Sequence, residues 1–262
     1  MTTLSSYLSI ARDAARWKTL AAKSPEVALQ TKYFQANIGK VKTADDLVGN
    51  ARLFTYAMSA FGLGDRAYAK GLMKRVLQQG VSSPSALAYK LNDPNILAFA
   101  KAFDFAKNGA QTTQSASLVQ STVDQYTQNA LEKGQAQQNP GVGLAVYFQR
   151  KAPAITSAYG LLADKKMLQV AQTALDISPM TAVMPIDQQA SILGKKIKFV
   201  DFKDATKLQA FISRFAAQYD YKYGSASPGA TTTNAVSLDA SQDGATAMSN
   251  GLLQAMQAYR TY

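Results

Sequence analysis

An all-α fold follows from three features of the sequence. Helix caps, apolar stripes at helical spacing, and glycine or proline stops recur along most of the chain, marking where helices begin, bury one face and end. Only one stretch, Lys195 to Asp201 (KKIKFVD), is a plausible short strand, and it reads as an irregular connection instead, so essentially no sheet is expected. Segments of the first half also recur with an offset of 114 residues in the second. The predicted architecture is therefore two related multi-helix halves, 1–110 and 111–223. A flexible linker and a tethered terminal helix occupy 224–262.

Residues 2–22 read as one long helix with Leu4, Leu8, Ala11 and Ala15 on its apolar face. Ser24-Pro25-Glu26 opens the next: a serine cap, proline first, then an acid near the positive helix end. Val27, Thr31, Phe34 and Ile38 form its stripe. Thr43, with Asp46 three residues on, has the form of a capping box. Leu47, Phe54, Met58 and Phe61 follow at helical spacing, and Gly62 and Gly64 stop the run. Asp65 is expected to cap a helix that buries Tyr68, Leu72 and Val76 and ends at Gly80. Asp93-Pro94 opens another, with Ile96, Phe99, Ala100 and Phe103 on its apolar face. Lys107-Asn108-Gly109 closes the first half, and Gln111 to Ser117, rich in Gln, Ser and Thr, reads as a link.

The second half looks like a diverged copy. Tyr33-Phe34-Gln35 is matched by Tyr147-Phe148-Gln149, and Leu4, Leu47, Ala57 and Ala60 by Leu118, Leu161, Ala171 and Ala174. Ile96, Phe99 and Phe103 find counterparts in Leu208, Phe211 and Phe215 once the spacing shortens by two. The proline-led helix at Pro25 has its partner at Pro140. The copy is more broken, by Pro153, Pro179 and Pro185, before a helix capped by Asp204. Gly224 to Asp243 turns to Ser, Thr, Gly and Ala, a linker composition. Ala245 to Tyr259 regains helical periodicity through Met248, Leu252, Met256 and Tyr259.

Composition narrows the chemistry. The 262 residues contain no cysteine, which removes disulfides, thiol nucleophiles and thiolate metal sites. They contain no histidine either, so the commonest general base and metal ligand are missing and a Ser-His-Asp triad cannot be built. Gly62-Leu63-Gly64 ends a helix and follows no strand, the reverse of a phosphate-binding loop. Asp46 and Asp204 sit where caps belong, which explains them without catalysis or metal. No catalytic, cofactor or metal residue is assigned, and an enzyme is not expected. The net charge of +11 is spread in short clusters such as Lys74-Arg75 and Lys195-Lys196-Lys198, unlike the concentrated basic face of a nucleic-acid binder. No apolar run approaches a signal peptide's core or a membrane span, so the expectation is a protein that stays out of membranes, cytoplasmic by default.

The residues that could meet a partner are Arg150 and Lys151, which end the distinctive run Tyr147 to Pro153, and Met248, Leu252, Met256 and Tyr259 on the terminal segment. Methionines give adaptable apolar surface.

Several segments together resemble the domain of unknown function 1217 family. In the first half these are Ala60-Phe61-Gly62-Leu63, Lys74-Arg75-Val76-Leu77, Leu91-Asn92-Asp93-Pro94, Phe99-Ala100 and Ala102-Phe103. In the second they are Asn139-Pro140, Tyr147 to Pro153, Leu161-Leu162-Ala163-Asp164, and Phe211 with Arg214-Phe215. The family is alphaproteobacterial in the main and often encoded among flagellar genes. The resemblance implies an all-helical fold and a role connected with flagella, and it supplies no catalytic or ligand residue. The expected function is thus a non-enzymatic structural, assembly or chaperone-like component acting through protein contacts. A basic nucleic-acid-binding regulator and a small-molecule-binding helical protein are the alternatives. The partner's identity and the oligomeric state stay open.

Overall fold

The computed structural model describes residues 1–224, and every structural statement below concerns these. They form fifteen α-helices joined by short 3₁₀ turns, with no strand among them. The expected segment Ala245 to Tyr259 lies outside the described residues.

The N-terminal helix is two helices, α1 (Thr3–Arg12) and α2 (Ala14–Ala22). Asp13 breaks it, with φ −144° and ψ 60°, and turns its carboxylate to cap the Arg16 N–H. The local cap outcompetes helical continuation, as short acidic side chains do. The buried face of α1 is Thr3, Tyr7 and Ile10, rotated from the expected Leu4 and Leu8 stripe. Next come α3 (Pro25–Asn37), α4 (Ala44–Gly49) and α5 (Ala51–Ala60). The Thr43–Asp46 capping box forms in full. The run expected to continue to Phe61 is interrupted at Asn50, which caps α5 through Leu53 N–H. Gly62, at φ +73°, ends α5 in a conformation that costs other residues about 1 kcal/mol or more.

One helix starts later than its sequence signals suggest. Asp65 sits in a 3₁₀ turn, and α6 (Lys70–Gln79) begins at Lys70 without a side-chain cap. Tyr68 is 84% exposed and Leu72 37%, while Met73, Val76 and Leu77 are buried. After α7 (Leu87–Lys90), α8 (Pro94–Ala102) opens on Asp93, whose carboxylate accepts from Asn95 and Ile96 N–H as its position predicts. A short α9 (Phe105–Asn108) follows.

The segment 111–117 is no loose link. A 3₁₀ turn spans Gly109–Gln114 with Thr112 and Thr113 buried, and Thr113 donates to the Val41 carbonyl. It leads into α10 (Ala116–Gln138), which runs on unbroken beside α5 and α11 (Pro140–Lys151). The chain continues through α12 (Ala158–Leu162), α13 (Lys165–Ala174) and α14 (Ile186–Lys196) to α15 (Ala205–Tyr223). The irregular connection expected at 195–201 is the end of α14 followed by a 3₁₀ turn, Phe199–Lys203. Lys195 and Lys196 complement the negative end of α14, and the buried Ile197 and Phe202 anchor the turn in a helical core.

Two apolar clusters hold these helices. In the first, Phe61, Phe99 and Phe103 meet edge-on or tilted at 5.3–6.1 Å, and Phe34 stacks on Tyr56 at 4.3 Å. In the second, Phe148, Phe202 and Phe211 pack at 5.2–5.4 Å. Each cluster takes a helix from the far side of the chain. Tyr7 and Ile10 of α1 belong to the second cluster, while Leu118, Val119, Val123 and Tyr126 of α10 lie against the first. Asp220 of α15 fixes α1 by accepting from Thr3 N–H at 2.8 Å and Leu4 N–H at 3.3 Å, an acid at a helix's positive end.

The α1–α11–α15 crossing is tight. A Cβ on Gly141 would lie 2.5 Å from the Tyr219 ring and 2.9 Å from Thr3 Cγ2. Gly141→Ala is therefore expected to destabilise by about 1–3 kcal/mol, as overpacking does. Gly134→Ala, on α10 with nothing within 4 Å, is expected to stabilise by up to about 1 kcal/mol. Urea unfolding of the two variants side by side checks the contrast.

Candidate functional site

The densest polar arrangement runs along the seam where α10 and α11 meet. Glu132, buried on α10, takes a two-pronged bond from Arg150 on α11, with Nε–Oε1 at 2.6 Å and Nη2–Oε2 at 2.8 Å. Gln128 adds a third donor to the same carboxylate. Such parallel N–H···O pairs are the strongest form of the ion pair. The Arg150 guanidinium also lies 5.2 Å from the centre of the Tyr147 ring. Tyr147 donates its hydroxyl to Asp164, which caps α13 through Lys166 and Met167 N–H. Lys151 reaches across to Asn95 Oδ1 at 2.9 Å, and so joins α11 to the start of α8.

Burial and the Asp164 charge push the Tyr147 phenol above its ordinary range, so it remains a protonated donor. Burial and the neighbouring Arg150 charge push the Lys151 amine down. For Arg150 burial acts against the charge, but the bonds and charge of Glu132 outweigh it and the shift is upward. The arrangement is a set of satisfied pairs that ties helices together. The two basic residues singled out by sequence, Arg150 and Lys151, are brought together here with their polar ends engaged inside the fold. Their partner Glu132 had no local signal. The terminal candidates Met248, Leu252, Met256 and Tyr259 lie outside the described residues.

A different surface faces outward. The 3₁₀ turn Pro179–Val183 and the first residue of α14 leave Met180 71%, Val183 81% and Ile186 57% exposed, with Met184 beside them. The segment is held in place: Gln189 donates to the Ala182 and Met184 carbonyls, and Gln172 to Thr181 Oγ1. Behind it, between Leu168, Ile177 and Leu193, the enclosed space is only about 10 Å³, about room for one water. An open groove of about 730 Å³ lies elsewhere, lined by Asn108, Gln111, Thr112, Ser115 and Ser121 with no charged side chain. Among the described residues no three acids gather as a metal cluster, and no helix is long and apolar enough to cross a membrane.

The structure thus defines an all-helical protein with two aromatic cores, each clasped by a helix from the other side and joined along a buried ion pair. The chain belongs to the protein of unknown function (DUF1217) family, whose model matches residues 60–208. It is similar to protein AGR_C_984 from Agrobacterium tumefaciens, known from an X-ray crystal structure. The two share 35% identity at a TM-score of 0.78, over 84% of this chain and 94% of that one. Comparison with curated proteins gives no match.

Proposed function

We propose that the protein is a non-enzymatic component of the bacterial flagellum or its assembly, acting through protein contacts. The observation that carries the contact role is the exposed apolar segment Met180 to Ile186, fixed by side-chain bonds rather than left loose. Exposed apolar patches rimmed by polar residues mark interaction sites. The flagellar direction comes from the gene context of the family. On this reading the protein acts in the cytoplasm or, after export, at the flagellum itself.

We also propose that the two halves arose by duplication, and the order of elements supports it. The 3₁₀ turns 38–40 and 152–154 differ by 152 − 38 = 114, and α5 and α13 by 165 − 51 = 114 at the start and 174 − 60 = 114 at the end. Phe34 and Phe148 lie fully buried in corresponding proline-led helices. At this offset Met180, Val183, Met184 and Ile186 stand where the first half has Arg66, Ala69, Lys70 and Leu72. Arg66 and Lys70 are basic where the second copy has Met180 and Met184, so the second copy is the more apolar here, as a surface acquired for a partner would be.

Deleting the gene is expected to impair swimming or filament assembly while growth stays normal. Complementation with Met180→Ser/Val183→Ser/Ile186→Ser should fail, although circular dichroism of that variant matches wild type. Normal motility in the deletion strain overturns the flagellar reading. Full complementation by the triple variant removes the surface from it, and tight, salt-resistant DNA binding would put a nucleic-acid regulator in its place.

A further inference from the structure

The helix that clasps the second core is attached through one residue. We propose that α1 is exchangeable between two copies of the chain, each copy's α1 filling the α11–α15 groove of the other to give a reciprocal dimer. The proposal is independent of the flagellar reading.

Three observations carry it. First, α1 ends and α2 begins across Asp13 alone, whose backbone is the only non-helical point between Thr3 and Ala22. Straightening that residue turns the pair into one continuous helix and lifts α1 out of its groove. The unbroken α10, 23 residues long, shows that a helix of such length is stable in this fold. Second, the two segments are held largely by different surfaces, although Trp17 of α2 also packs against the second cluster. On the body side of the hinge, α2 lies along α10 with Lys18 paired to Asp124 at 3.1 Å. On the other side, α1 buries Thr3, Tyr7 and Ile10 against α11 and α15, with Asp220 capping its first turn. Opening the hinge releases α1 from its groove while the α2–α10 contact can stay in place. Third, the groove has one demonstrated occupant, and a second copy supplies the identical helix. Every α1 contact is remade in the exchanged pair, so the equilibrium is set by Asp13 and by protein concentration. Exchange of a terminal element across a short hinge is a low-cost route to a dimer for this reason.

The test is refolding from denaturant at high protein concentration, followed by size-exclusion chromatography with light scattering. Asp13→Ala removes the cap that holds the bend and favours the straight helix, so the dimer-to-monomer ratio should rise about five-fold per hinge. Asp13→Asn keeps a capping side chain and should behave like wild type. Exchange is told from simple surface association by refolding a mixture of light and ¹⁵N-labelled wild-type chains and treating the dimer fraction with an amine-reactive cross-linker. Met1 and Lys222 each stand two residues in sequence from the Thr3–Asp220 contact, and the Lys222 amine is paired with Asp176. In exchanged dimers about half of the Met1–Lys222 links should join a light to a heavy chain, because copies pair at random. No dimer at any concentration, or a dimer whose Met1–Lys222 links all lie within one isotope, overturns the proposal. The wild-type mixture decides the matter even if Asp13→Ala folds poorly.

Discussion

Phe99→Ala is expected to cost about 3–5 kcal/mol of folding stability. Phe99 is fully buried on α8, 5.6 Å from the Phe61 ring and 5.3 Å from Phe103. Truncation removes one ring of this trio and leaves a void inside the first apolar cluster, whose members come from several helices and cannot all close in. Domains of this kind hold about 5–15 kcal/mol in total, so the variant should lose a large share of its stability. Urea unfolding would show the midpoint falling with the slope unchanged. A loss below about 1 kcal/mol would mean that the cluster repacks freely around the gap.

Glu132→Ala is expected to cost about 3–5 kcal/mol, because it leaves the Arg150 guanidinium in the α10–α11 seam without its two strong acceptor bonds. Arg150 keeps about a quarter of its side chain exposed, 26%, and can turn partly to water, which places the loss near the lower end. The companion variant Glu132→Leu/Arg150→Met removes both charges together. Its expected stability lies within about 1–2 kcal/mol of wild type or above it, since apolar pairs of similar volume often replace buried ion pairs without loss. Measured together, the two unfolding curves separate the penalty of a stranded charge from the worth of the pair. Equal losses in both variants would show that packing volume at this seam matters more than charge.

What could be read from the sequence was short-range. The Thr43–Asp46 box, the Asp93 and Asp204 caps and the Gly62 stop each depend on residues within one turn, and each forms as its pattern predicts. Features that depend on distant partners were hidden. α10 turns Leu118, Val119, Val123 and Tyr126 toward the first core, but its buried Thr122, Thr127 and Glu132 break up that face, and only the neighbouring helices account for them. Tyr68 and Leu72 fit a helical period, but α6 starts after Tyr68 and turns Met73 inward instead. At Asp13 a local cap on Arg16 N–H breaks the helix, but the α11–α15 groove that then receives α1 lies in no window around Asp13. The same holds for Arg150. Its place at a helix end suggested a free basic group, and only the approach of α10 supplies the buried acid that engages it.

The clasp of α1 in the second core also sets an order of events on the ribosome. Tyr7 and Ile10 leave the exit tunnel first, yet their groove is complete only when α15, residues Ala205–Tyr223, has followed. At about 5–20 residues per second, that delay is roughly 10–40 s. During it the first core can close around Phe99 with α10 laid on it, while an apolar N-terminal helix waits uncovered. The nascent chain therefore carries a surface that the finished protein hides, and translation speed between α10 and α15 decides how long other chains can reach it.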